Sequence, residues 1–267
     1  ATGPVYNNKK VVIVNPVATY LPFEDPGPWV FKLSGERKTQ TDMLSEYCLK
    51  KKKFSRIALL YDETQDYSYN MAMLFKEKIL KEGGQIFLEQ NISLEITDFS
   101  GEISEMTDKN IDVAFFSGLY SDMAKLAVKL KEKGSSLSLI GGGISFHTGE
   151  LIVKGEEAVE GMVFSSFFNA DFNADTQKFS EKFYNTFKVY PVSISALAYD
   201  AALVLGEAIL KSGPSSELIR DYLNSINNPD KAFSGITGKI YFDNFNNSPR
   251  DVYLRVVRGG KFTLLNI

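Results

Sequence analysis

The sequence has little of several features that mark particular classes of protein. Its one cysteine, Cys48, excludes the internal disulfide framework that stabilises animal receptor ectodomains, and a bacterial source fits better. Its 30 lysine and arginine residues are balanced by 33 acidic residues, which leaves no basic excess for binding a nucleic-acid backbone. The longest apolar stretch, residues 194–210, is shorter than a membrane span and contains Asp200 and Glu207. We therefore expect no nucleic-acid partner and no transmembrane segment.

The start of the chain and its single thiol carry little functional information. Residues 1–4 lack the basic segment and apolar run of a secretion signal, which fits a mature, trimmed or cytoplasmic chain. Cys48 falls beside Leu44 on the apolar side of a predicted helix. We expect a small core residue there and not a reactive thiol.

Candidates for catalysis are also few. His147 is the one histidine, and no serine or cysteine forms a recognisable motif with it, so a hydrogen-bonding role in solvent or in a cleft is expected. Asp62, Glu63 and Asp66 follow a predicted strand and could serve acid–base or metal chemistry, but such a loop more often faces water. The sequence therefore predicts a protein that is not an enzyme, with no catalytic residue, no metal site and no cofactor.

What is present is an alternation of strand-length apolar runs with helical patterns. The predicted strands are residues 11–14, 57–61, 85–89, 113–116, 137–140 and 162–168. Apolar residues recur at helical spacing within residues 43–48, 71–79, 123–130 and 179–187, and a long helix is predicted for residues 193–211. After Gly238 the pattern changes to antiparallel ribbons. The alternation indicates an α/β fold with parallel sheets flanked by helices.

The stretches at residues 15–20, 29–32, 56–67, 160–164, 198–202 and 233–243 follow one another in an order that resembles the type I periplasmic binding proteins, the family that includes leucine/isoleucine/valine-binding proteins. Residues 15–20 (Asn-Pro-Val-Ala-Thr-Tyr) resemble a strand-end segment of that family, and residues 29–32 and 160–164 resemble two crossings between its lobes. Residues 56–67 resemble the strand and loop that open its second lobe, and residues 198–202 and 233–243 its late helix and third crossing.

The resemblance implies a two-lobed fold of the Venus flytrap kind. It places the first lobe in residues 1–34 and 169–236, the second in residues 35–168, and the third crossing with the C-terminal strands in residues 237–267. Crossings are expected near residues 30–33, 164–168 and 238–242. Because the similarity begins part-way into the first lobe, we expect that lobe to be incomplete.

The resemblance also implies a ligand site in the cleft between the lobes, at the carboxyl ends of the parallel strands. Ala18 and Thr19 match positions that offer a carbonyl and a hydroxyl, and Tyr67 matches an aromatic residue that closes over the ligand. Leu119 matches a further cleft aromatic, for which neighbouring Tyr120 could substitute. Gly143 falls where amino-acid binders place an acidic residue. A buried ammonium without a carboxylate is strongly disfavoured, so a standard amino-acid ligand is not expected unless Asp66, Glu150 or a group outside this chain supplies the carboxylate.

Two functions follow as hypotheses. The first is an extracytoplasmic solute-binding protein that holds a small amino-acid-like or related molecule for an ABC transporter, with an ABC permease as partner. The alternative is a periplasmic interaction lipoprotein, resembling activators of penicillin-binding proteins, whose partner is a cell-wall synthase. Both imply a periplasmic or extracellular location, with a lipid anchor outside this chain as one option.

Overall fold

The computed structural model of the protein describes residues 3–21, 25–92 and 98–266. Their contacts divide the chain into two units. Unit 1 comprises Ala1–Glu36 and Phe167–Val252, and unit 2 comprises Arg37–Ser166 and Tyr253–Ile267. The chain therefore passes from one unit to the other after Glu36, after Ser166 and after Val252.

Strands and helices alternate through most of the described residues. The strands are β1 Ile13–Asn15, β2 Val30–Lys32, β3 Ile57–Tyr61, β4 Ile86–Asn91, β5 Val113–Ser117, β6 Ser138–Gly141, β7 Val163–Ser166, β8 Phe233–Gly235, β9 Gly238–Ile240, β10 Tyr253–Arg258 and β11 Lys261–Leu265. The helices are α1 Gly3–Lys9, α2 Arg37–Glu46, α3 Asp66–Lys81, α4 Ser100–Asp108, α5 Tyr120–Glu132, α6 Gly149–Gly155, α7 Ala174–Phe187, α8 Ser193–Ser212 and α9 Ser216–Ser225. Helix α2 continues into a π-helical turn, Tyr47–Lys51, and short 3₁₀ turns occupy Ile144–Phe146 and Glu156–Val159.

Unit 2 is built on one seven-stranded sheet in the order β11-β10-β7-β6-β5-β3-β4. Strands β4, β3, β5, β6 and β7 are parallel, and β10 and β11 extend the sheet in antiparallel pairing. The predicted α/β fold with a mostly parallel sheet flanked by helices is thus confirmed, as are antiparallel strands at the C-terminal end.

The central strands of unit 2 are apolar on both faces because each face packs on helices. Ala58 and Leu60 of β3 join the hydrophobic cluster that contains α4 and α5. Ile57 and Leu59 join the cluster that contains α2 and α3. Since side chains alternate across a strand, a continuous apolar run marks a strand that is covered on both sides.

Helices α2 and α3 pack together on one face of this sheet. Phe75 of α3 stacks on Phe115 of β5 with ring centroids 3.9 Å apart. Cys48, in the π-helical turn, is fully buried as expected, and burial raises the pKa of its thiol to about 12.

Unit 1 contains a parallel pair, β1 and β2, and an antiparallel hairpin, β8 and β9. Its core joins β2, α8 and α9 through buried apolar side chains, among them Phe31, Val204 and Leu223. Phe31 meets Phe242 edge-on at 4.9 Å between centroids. The C-terminal segment predicted as 237–267 is divided, since β9 belongs to unit 1 whereas β10 and β11 belong to unit 2.

Two expectations about the helices of unit 1 need correction. By length and composition α8 passes as a membrane span, the one such helix among the described residues, so its apolar run is not too short. Its buried face, including Leu197 and Val204, packs into unit 1, and the carboxylate of Asp200 is buried there with hydrogen-bond partners, as in a core helix. On α7 the predicted apolar face is only partly covered, because Phe187 is 61% exposed.

Candidate functional site

The loops that follow β3, β5 and β6 lie at one edge of the unit 2 sheet, where parallel strands end. Such edges hold the ligands of many open α/β sheets. Tyr61 pairs with Ser117 across the last rung of β3 and β5, and Phe116 pairs with Gly141 at the end of β6. The side chain of Ser68, in the first turn of α3, donates to the carbonyl of Ser117 and ties the first two loops together.

Tyr67 and Gly143 meet directly at this edge. The Tyr67 hydroxyl donates to the carbonyl of Gly142 at 3.2 Å, and burial raises the pKa of this hydroxyl to about 12. Gly143 has φ +119° and ψ −167°, a conformation that is essentially restricted to glycine. A Cβ atom at position 143 would also overlap the Tyr67 hydroxyl. The position can therefore carry no side chain, charged or neutral, while Tyr67 stands there.

Two residues of α2 that the sequence did not suggest also lie beside Tyr67. The guanidinium carbon of Arg37 lies 5.5 Å from the centroid of the Tyr67 ring. The Gln40 side-chain oxygen lies 3.2 Å from where a Cβ of residue 143 would be, and it accepts a hydrogen bond from Ser165 at 2.9 Å. Their one-turn spacing places both side chains on the same face of α2.

Leu119 and Tyr120 lie on the neighbouring loop after β5. Leu119 directly precedes α5 and is exposed. The Tyr120 hydroxyl donates to Glu150 at 2.7 Å, and this hydrogen bond raises the pKa of the tyrosine. Tyr120 is therefore engaged with α6, whereas Tyr67 is engaged with the loop at Gly142.

In unit 1 the predicted residues Ala18 and Thr19 follow β1. The side-chain oxygen of Asn15 accepts from the backbone amides of Val17 and Ala18 at 3.0 Å and 2.9 Å. This turn leaves Ala18 exposed, and Thr19 is buried. Asn15 thus fixes the conformation of the loop on which both residues lie.

Comparison with known proteins agrees with this architecture. A family model described as periplasmic binding protein matches residues 1–261. The chain belongs to this family. Its members are binding proteins, and this periplasmic binding protein shares their fold.

Individual relatives are distant in sequence and close in fold. The leucine-binding protein LivK of Thermotoga maritima is 25% identical with a TM-score of 0.90, and the match covers 99% of this chain and 75% of that one. LivJ of Streptococcus pneumoniae, in complex with isoleucine, is 22% identical with a TM-score of 0.87, covering 97% and 74%. The leucine-specific-binding protein of Salmonella typhimurium is 22% identical over 138 residues, which are 51% of this chain and 37% of that protein.

The acidic residues that follow β3, Asp62 and Asp66, form hydrogen bonds and an ion pair with nearby side chains. Asp62 accepts from the backbone and the hydroxyl of Thr64 at 2.8 Å and 2.6 Å. Asp66 pairs with Arg37 at 3.0 Å and accepts from Asn70 at 2.8 Å. Within residues 3–21, 25–92 and 98–266, no group of three or more histidine, cysteine or acidic side chains could hold a metal ion.

His147 is buried in unit 2 and shares a hydrogen bond of 3.2 Å with the Ser166 hydroxyl. Burial, and to a smaller extent the nearby positive charge of Arg255, lower the pKa of its imidazole to about 3. The neutral imidazole lies among Phe164 and Phe262, so its hydrogen bond is buried and the expected exposure to solvent was wrong.

Proposed function

We propose that this periplasmic binding protein binds a small solute at the strand-end loops and delivers it to an ABC permease. The observation that carries the proposal is the meeting of Tyr67 with Gly142 and Gly143, because it joins an aromatic ring to backbone polar groups at the edge where such sheets bind ligands. The family to which the chain belongs supports the same function.

The predicted contacts divide into polar and apolar ones. Tyr67 supplies an aromatic wall, and Leu119 or Tyr120 a further apolar contact. On the loop after β1, Thr19 supplies a hydroxyl and Ala18 a backbone carbonyl. Side chains and backbone groups of this kind bind a ligand without making or breaking a covalent bond.

The proposed ligand class follows from the missing charge at position 143. In the resemblance to amino-acid binders, this position would hold the acid that pairs with the ligand ammonium. Here the Tyr67 hydroxyl fills that space, so only backbone is offered. Leaving a buried ammonium unpaired costs several kcal/mol, or several powers of ten in affinity. A neutral, anionic or partly aromatic solute is therefore favoured over leucine or valine.

Isothermal titration calorimetry and thermal shift against amino acids, organic acids, amides and sugars test the proposal. We expect one class to bind, with Tyr67→Ala and Thr19→Ala weakening it. Tyr190→Ala is the matched control, because Tyr190 is 69% exposed on the loop after α7. Submicromolar binding of leucine that Thr19→Ala abolishes would overturn the charge argument. If no solute of any class binds, the proposal fails and the alternative hypothesis, a periplasmic interaction lipoprotein, replaces it.

The proposed location is extracytoplasmic. We also propose that a segment outside this chain carries a lipid anchor. The cell-wall-synthase partner gains no support from the relatives, which are solute-binding proteins. Cell fractionation with antibodies against this chain tests the location, and recovery in the cytoplasm would contradict it.

A further inference from the structure

Arg37 places a permanent positive charge next to Tyr67. It is the first residue of α2, its side chain is 11% exposed, and its guanidinium lies over the Tyr67 ring. Arginine keeps its proton at every physiological pH, and its planar donors match the two oxygens of a carboxylate. The candidate site therefore contains a positively charged group that can pair with an anion.

Asp66 is one partner of Arg37, and its hold on the guanidinium is weak. Asp66 contacts Nη1 of Arg37 at 3.0 Å, but its own side chain is 76% exposed. Ion pairs with a solvated member contribute little free energy, because water competes for the charge. Asp66 also has a second partner, since Asn70 donates to its other oxygen at 2.8 Å. A ligand carboxylate can take the place of Asp66 at modest cost.

The nearby groups on other elements do not repel an anion strongly. Position 143 can carry no acid, and the next nearest side chains after Tyr67 are those of Gln40 and Met71, both uncharged and 3.2 Å from where a Cβ would be. Asp62 is directed to Thr64, which donates to it twice. Glu63 is exposed, where solvent and salt screen its charge.

We propose that Arg37 is a specificity-determining residue, which binds the carboxylate of an anionic solute in place of Asp66 while the apolar part of that solute packs beside Tyr67. This inference rests on the proposed function and narrows its ligand class to carboxylates. Because Asp66 and the ligand carboxylate compete for Arg37, substitutions of the two residues have opposite effects. Removing the arginine weakens binding, and removing the charge of Asp66 strengthens it.

Matched probe pairs test the inference by calorimetry on the purified protein. The probes are benzoate with benzamide, and 4-methylpentanoate with 4-methylpentanamide, which differ in charge and hardly in shape. We expect a carboxylate to bind more tightly than its amide. Arg37→Gln should weaken carboxylate binding by about 10-fold to 100-fold, the range of one charge-assisted hydrogen bond. Asp66→Asn should strengthen it by about 3-fold or more.

Lys38→Gln is the control, since it removes the same charge from the next residue of α2, where Lys38 pairs with Asp42. It should leave the affinities unchanged. If Arg37→Gln fails to fold, judged by circular dichroism, the Asp66→Asn result alone decides. Equal or tighter binding of an amide or an amino acid, or a carboxylate affinity unmoved by both variants, overturns the inference and leaves solute binding intact. If neither these probes nor any compound of the wider panel binds, the proposed function fails and this inference with it.

Discussion

The imidazole of His147 shares its hydrogen bond with Ser166 inside a packed part of unit 2, with the Phe262 ring edge-on at 5.0 Å between centroids. Charging it there would bring an unsolvated cation close to Arg255. The residue is therefore retained in its neutral form, and folding stability must depend on the pH at which free histidine would be protonated.

We predict that acid destabilises the protein through this residue. The unfolded chain takes up a proton near pH 6.5, whereas burial keeps the folded imidazole neutral down to about pH 3. Because the unfolded state binds the extra proton, the free energy of unfolding is highest above pH 6.5 and falls as the pH drops toward 3. Urea unfolding should show a loss of about 2 kcal/mol between about pH 7 and pH 5.

His147→Gln supplies the comparison. It is the one histidine of the chain, so the variant has no imidazole left to titrate. Its pH slope over this interval should be much flatter than that of the wild type, whatever its absolute stability, since most carboxylates titrate lower. Parallel slopes for the two proteins would show that another group causes the loss.

At the site, sequence patterns predict residues but not their partners. Tyr67 and Gly143 were both named from their local segments, yet neither segment shows that the tyrosine hydroxyl fills the side-chain space of the glycine. Arg37 was missed because its significance comes from Asp66 and Tyr67, which the fold brings to it from another helix. Contacts between residues that are far apart in the sequence leave no periodic pattern from which they could be predicted.

Among the elements, the buried strands and long helices were predictable, and the short ones were not. Strands β3 and β5 are continuous apolar runs, and α3, α5 and α8 carry clear helical spacing. Helix α6 buries only Leu151 and Gly155, too few residues to form a periodic pattern. Helix α9 was overlooked although its apolar residues Leu218, Ile219, Tyr222 and Leu223 recur at helical spacing. The π-helical turn after α2 has no signal in residue type.

Helix α8 holds the turn between β8 and β9 through one carboxylate. Asp200 accepts from the amides of Ile236 and Thr237 at 2.9 Å and 2.8 Å, and from the Thr237 hydroxyl at 2.5 Å. A Cβ on Gly235 would lie 2.5 Å from the same carboxylate. Two stretches that each resemble the family, residues 198–202 and 233–243, are therefore joined by one buried carboxylate.

We predict that Asp200→Asn destabilises unit 1 by about 2–4 kcal/mol, because an amide cannot accept all of these hydrogen bonds and its own donors are left buried. Trp29, the one tryptophan, is buried in unit 1, so its fluorescence in urea reports on that unit. Lys211→Gln is the control, since Lys211 is 61% exposed at the end of the same helix, and should cost about 0.5 kcal/mol or less. Equal midpoints for the two variants would contradict the role of Asp200.

Across the whole molecule, each unit is assembled from separate stretches of chain. Unit 2 takes its parallel strands from Arg37–Ser166 and its last two strands from Tyr253–Ile267. Strand β10 pairs with β7 from Tyr253 opposite Ser166 to Val256 opposite Val163. Such non-local pairing explains why the strand rhythm predicts the class of fold, whereas the strand order emerges only from the structure.

This dependence leads to a test by truncation. A chain that ends at Val252 lacks β10 and β11, two of the seven strands of the unit 2 sheet. It loses the buried side chains of Leu254, Val256 and Val257, and β7 becomes an unpaired edge. Burying an aliphatic side chain stabilises by about 1.5–3 kcal/mol, so the three together approach the whole stability of a typical domain. We expect the amides of β3 and β5 to lose their protection from hydrogen exchange in this truncated chain.

A chain ending at Leu265 keeps both strands and should retain protection. Adding a peptide of residues 253–266 to the shorter chain should restore part of it. Wild-type protection without these residues would show that the five parallel strands are stable alone.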